Sequence, residues 1–171
     1  MILSAFTFFH VVLSLIGIGS GFVVAYGLLT AKRFDKWTTL FLTATIATSV
    51  TGFLFPVHHF MPSHALGILS LLVLGISLLA LYRYKLAGGW RRTYAITAVI
   101  ALYLNFFVLI VQLFQKVPAL RALAPTQSEP PFAVTQLIVL VLFVFLGTRA
   151  AIQFRGGIAP QGNTGLMGAK V

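Results

Sequence analysis

From Leu3 to Leu29 the chain carries no charged side chain, and four more long apolar stretches follow, separated by short polar connections. Each approaches the roughly 20 residues that a helix needs to cross the hydrocarbon core of a bilayer. This repetition constrains the fold more than any other feature. It predicts an all-α integral membrane bundle of five transmembrane helices at about 3–29, 38–55, 64–82, 93–115 and 133–152. Together they form one domain over residues 1–154, followed by a flexible Gly-rich cytoplasmic tail at 155–171.

Composition agrees. Of 171 residues, 59% are hydrophobic and 8% charged, far below the roughly 25% charged residues of soluble domains. Twelve Lys and Arg against two acids give a net charge of +10. In a soluble chain that excess would suggest nucleic acid. Here the basic residues fall in runs between apolar segments, where they act on topology and lipid headgroups, so the lipid bilayer is the expected partner and nucleic acid is not.

Over five crossings, Lys32, Arg33, Lys36, Arg83, Lys85, Arg91, Arg92, Arg149, Arg155 and Lys170 share one side, and only Lys116 and Arg121 the other. The positive-inside rule then places the N-terminus outside and the C-terminus in the cytoplasm. Without cysteine, thiolate catalysis, thiolate metal sites and disulfides are excluded. No basic region precedes the first apolar segment and it is long, so it does not read as a signal peptide.

In the first segment Gly17, Gly21 and Ala25 recur every four residues, a small-residue face that admits a close neighbour. His10 and Ser14 continue that face, so His10 is expected to look into the bundle. The second segment holds Thr38, Thr39, Thr43, Thr45, Thr48 and Thr51. Their hydroxyls suit packing, bonding carbonyls one turn back or neighbouring helices, more than a polar conduit. Pro56 is expected to end it, and Ser63 to cap the third. Asn105 and Gln112, seven apart, predict an inward polar stripe on the fourth segment. The prolines between Ala124 and Phe132 favour extended or turn structure there.

Chemistry, if present, is expected among the histidines. His58, His59 and His64 lie in or beside the connection after the second segment, and the predicted topology brings His10 to the same end. Imidazole ligates transition metals and haem iron and relays protons. An intramembrane ionisable group is a functional hypothesis by default. The expected cofactor-binding residues are His10, His64 and Gln112, and the expected metal ligands His10, His58, His59 and His64. Haem b, a transition metal or a quinone carbonyl are the groups such residues would serve. Each histidine also has a structural reading: His10 as interhelical glue, for instance to Gln112, His58 and His59 as interfacial loop residues, His64 as part of a helix start.

No catalytic residue is assigned. The two acids, Asp35 and Glu129, fall on opposite sides of the predicted membrane, which excludes paired-carboxylate chemistry and a Ser-His-acid triad. Ser128-Glu129 is the sole acid-bearing pair on the histidine side.

The stretches Phe9-His10-Val11-Val12, Ala47-Thr48-Ser49-Val50-Thr51-Gly52-Phe53, Ser63-His64-Ala65-Leu66-Gly67-Ile68 and Ala124-Pro125-Thr126-Gln127-Ser128-Glu129-Pro130-Pro131-Phe132 resemble small multi-pass inner-membrane proteins of bacteria, chiefly proteobacterial. The resemblance covers about residues 1–155. It implies a bacterial inner membrane, and no functional residue is carried over, since that group has no established activity. The sequence thus predicts a non-catalytic or accessory multi-pass protein, as a homo-oligomer or part of a larger membrane complex. The alternative is a redox protein binding haem, metal or quinone through its outer histidines. A small transporter or channel is a weaker third.

Overall fold

The computed structural model describes residues 2–55 and 62–156, and all the regular structure in them is helical. Helix α1 spans Ile2–Leu29, α2 Asp35–Gly52, α3 Pro62–Leu78, α4 Trp90–Lys116, α5 Pro118–Leu123 and α6 Pro130–Gly156. A π-helical turn, Leu79–Arg83, extends α3. Four of the helices, α1, α3 with its extension, α4 and α6, are long and apolar enough to cross a membrane. The 18-residue α2 is not among them: Asp35, Lys36 and its threonines dilute it. The 155–171 tail falls almost wholly outside the described residues, as do His58 and His59.

Helix ends follow local chemistry. At the end of α1, Ala31 takes a left-handed φ of 53°. The Lys32 amide then donates to the Gly27 carbonyl and the Ala31 amide to that of Leu28. This double bond pattern is a Schellman stop, with alanine where glycine is favoured. Gly27 is required there, because a Cβ would come within 2.8 Å of the Lys32 carbonyl oxygen.

Two expected boundaries are corrected. Helix α2 stops at Gly52, before Pro56, and α3 begins at Pro62, so Ser63 lies inside its first turn rather than capping it. Proline is favoured at that position because its fixed φ suits a helix start and no amide is lost. Between Ala124 and Phe132 the expected turn structure is present at 124–129, but for the same reason Pro130 opens α6, as Pro118 opens α5.

The long helices alternate in direction. Contacts of α1 with α2 and with the residue before it join residues whose numbers sum to 61 or 62: His10 with Thr51, Gly17 with Thr45, Gly21 with Phe41, and Gly27 with Phe34. A constant sum is the signature of an antiparallel hairpin. Helix α3 returns against α2 through Ser49 and Ser70. Helix α4 packs on α1, and α6 on α4 through Tyr103, Phe106 and Phe143.

The main core joins all five long helices and lies towards the end where the basic loops run. Gly21 is its pivot: a Cβ there would lie 2.6 Å from Leu102 Cδ1 and 2.9 Å from the Phe41 ring. The expected small-residue face on α1 is thus a contact surface, and Ala25 is buried with it. At the basic end Tyr84 stacks flat on Trp90, with centroids 3.9 Å apart.

Candidate functional site

At the other end, which carries His10 and His64, the packing loosens into a cavity of about 120 Å³ between α1, α2, α3 and α4. Its walls include His10 and Ser14 from α1, Thr45 from α2, His64 and Ser70 from α3, and Asn105 from α4. Glycines make the room. A Cβ at Gly17 would stand 3.0 Å from Asn105 Nδ2 and 3.1 Å from Thr45 Oγ1, so the missing side chain admits two polar groups at once. Gly52 faces His10, and Gly67 receives the Phe53 ring.

Hydrogen bonds fix the tautomer of His10. Its Nδ1 is 2.8 Å from Thr51 Oγ1, which in turn lies 2.7 Å from the Ala47 carbonyl oxygen. That carbonyl can only accept, so the single hydroxyl proton of Thr51 points to it; two lone pairs would otherwise face each other at 2.7 Å. His10 Nδ1–H is then the donor to Thr51, which in the neutral ring leaves the lone pair on Nε2. The His10 ring meets Phe55 edge-on at 5.2 Å, and His64 lies against Phe53 at 5.6 Å.

The remaining polar groups are mostly satisfied. Ser14 Oγ donates to Asn105 Oδ1 at 3.0 Å, joining α1 to α4. Ser49 Oγ lies 2.9 Å from the Thr45 carbonyl and 3.0 Å from Ser70 Oγ, linking α2 to α3. Thr48 donates to the Ala44 carbonyl. Thr45 is the exception: only 1% exposed, its Oγ1 has no hydrogen-bond partner. A buried orphan of this kind costs roughly 1–3 kcal/mol.

The polar chain stops below Thr45. Phe41, Leu102 and the close approach at Gly21 form a dry layer, beyond which Tyr94 and Thr38 pair at 3.5 Å. The threonines of α2 therefore serve packing and one wall of the cavity, with no continuous conduit past Phe41.

Sequence reasoning placed His10 and His64 at one site, and the structure brings them to one cavity. Gln112 is corrected: it is exposed and lines no part of it, and Thr51 is the partner of His10. The inward role belongs to Asn105, because Gln112 lies about 10 Å further along the axis, where α4 runs on past the cavity. Gln136 is buried in α6 with Nε2 3.4 Å from the Phe107 carbonyl.

Glu129 does not line the cavity that holds His10 and His64. Its carboxylate accepts from the Thr126 amide at 3.1 Å, the Thr126 hydroxyl at 2.9 Å and the Ser128 amide at 3.1 Å, within the turn that starts α6. Desolvation works against its charge, but these donors outweigh it and hold the carboxyl below its ordinary range.

Thr45, Ser14, Ser70 and Asn105 were the residues not singled out for the site. The hairpin register could have found Thr45: a turn centred near residue 31 pairs each position with 62 minus its number, setting Thr45 opposite Gly17.

Among the described residues no three His, Asp or Glu side chains gather as a metal site. The cavity is also small for haem, since pockets that hold cofactor-sized molecules run to roughly 300–1,000 Å³. What it offers is a pair of imidazoles, a free hydroxyl and an amide, suited to a small hydrogen-bonding guest. In comparisons with protein-family models, curated proteins and solved structures, the chain has no significant match.

Proposed function

We propose that this chain is a non-catalytic, accessory protein of a bacterial inner membrane, and that its histidine-end cavity binds a small, hydrogen-bonding guest. In this reading α2 is a fifth crossing: 18 residues at 1.5 Å each reach about 27 Å, close to the hydrocarbon thickness. The ten-to-two distribution of basic residues puts the cavity on the outer side and the C-terminus in the cytoplasm. The membrane type rests on the sequence resemblance. The absence of an acid-base pair beside the histidines argues for binding rather than turnover.

One observation carries the binding reading. The orphaned Thr45 hydroxyl lines the same cavity as His10 and His64. A guest bearing a carbonyl, such as a quinone head, would accept from Thr45 and Asn105 and restore the missing bond. The test is binding of a short-chain benzoquinone to the purified protein in detergent, followed by tryptophan quenching or calorimetry. Thr45→Val and Asn105→Ala should each weaken it by tenfold or more while the helical circular dichroism stays unchanged. Equal affinity in both variants would refute the site.

The tautomer of His10 favours a second reading, a transition-metal ion on His10 Nε2 and His64. Metal analysis and a reduced-minus-oxidised spectrum separate the two. Stoichiometric copper or zinc, lost in His10→Ala and in His64→Ala, would replace the carbonyl guest with a metal.

A further inference from the structure

A second concavity, about 340 Å³, lies between α4 and α6 on the side away from the histidines. It is apolar along its length, with Val99, Tyr103, Phe143 and Val144 in its walls and Arg92 at one end. Gly147 shapes the floor: a Cβ there would make only ordinary contact, 3.4 Å from Val99 Cγ1. The groove is therefore free space left by the glycine and not a seam closed by backbone approach.

Its length is informative. From Arg92 to Tyr103 is eleven residues, about 16 Å along α4. A single leaflet contributes half of the roughly 30 Å hydrocarbon core, about 15 Å. The cation thus stands where a headgroup would, at the end with the basic loops, and the apolar trough runs to mid-bilayer depth. Arg92 is exposed, and no acidic side chain lines the groove. A guanidinium in that position matches the fork geometry of a phosphodiester.

We infer that the α4–α6 groove is a binding site for one anionic phospholipid, an acyl chain lying along Val99 and Phe143 and its phosphate held by Arg92. The site needs no particular reading of the histidine cavity. A lipid held this way would also cover α6, which is otherwise the least buried of the membrane-length helices.

The test is native mass spectrometry of delipidated full-length protein, titrated with phosphatidylglycerol or phosphatidylcholine of identical chains. The wild type should retain one phosphatidylglycerol at least fivefold more tightly than phosphatidylcholine. Arg92→Gln should abolish that preference. Gly147→Leu, which fills the trough, should lower retention of both lipids. Arg149→Gln is the control, because Arg149 lies over the Phe145 ring outside the groove; it should keep the preference. Thermal melting of each variant reports whether the fold survives. Equal retention of the two lipids by the wild type, or an equal loss in the Arg92 and Arg149 variants, would overturn the proposal. So would a protein dimer that Gly147→Leu dissociates, which would give the groove to a second copy.

Discussion

The two ends of this bundle are built from the same helices, yet they use small residues in opposite ways. At Gly21 the absent side chain lets Phe41 and Leu102 close to within van der Waals contact, giving a dry layer. One turn away, at Gly17, the same absence admits Asn105 and Thr45 and leaves room beside them. A glycine on a helix face therefore does not determine whether an interface is packed or open. Its partners do: an aromatic ring and a leucine fill the space, while two short polar side chains cannot. In hydrocarbon, where apolar burial gives helices little drive to associate, packing contacts carry most of the stability and polar contacts add modest increments.

That contrast predicts unequal tolerance. The largest effect is expected from Gly21→Leu. Leu102 and Phe41 are buried with nowhere to move, so overpacking should cost about 3 kcal/mol or more, read as a large loss of thermal stability in detergent. An equally large loss from Gly52→Leu, at the open end, would break the contrast. Asn105→Leu comes next. It strands the Ser14 hydroxyl, whose proton now goes to Asn105 Oδ1, and should cost about 1–2 kcal/mol. The double variant with Ser14→Ala should recover part of that loss.

How far the sequence foretold this contrast is instructive. The apolar spans and the small-residue face of α1 follow from periodicity, because a membrane helix has only one polar face to hide, and the placing of His10 and His64 at one end follows from the predicted topology. Which side of Gly21 would be wet does not follow. That depends on what α2 and α4 set opposite each glycine, and partner identity depends on register between helices. Gln112 shows the limit: a seven-residue spacing from Asn105 preserves the face, but an interface lasts only as long as the neighbouring helix. Thr51 was visible as one of many threonines, and only its proton count shows that it orients His10.

Two smaller predictions sharpen the comparison from outside the cavity. Ala31→Gly relieves a left-handed alanine at the turn nearest the dry end and should stabilise by about 1 kcal/mol, seen as a modest rise in melting temperature. The smallest effect is a pH dependence at the wet end. Glu129 has a depressed pKa in the folded chain, so its contribution is fully present above the ordinary glutamate range. It fades as the pH falls through the lower folded value. The protection of the Thr126 and Ser128 amides, with exchange rates corrected for their intrinsic pH dependence, should therefore fall only below the ordinary glutamate range, and Glu129→Gln should remove that dependence.

The shortness of α2 has an electrical consequence. It ends at Gly52, beside helices of 27 and 28 residues, and the polar recess reaches inward from that end as far as Thr45. Across a bilayer, a polarisable recess drops little of the applied voltage, so the field concentrates over the dry layer at Gly21, Phe41 and Leu102. A charge placed just beyond that layer would sense most of a potential worth about 2.3 kcal/mol per 100 mV, whereas one at His10 would sense little of it.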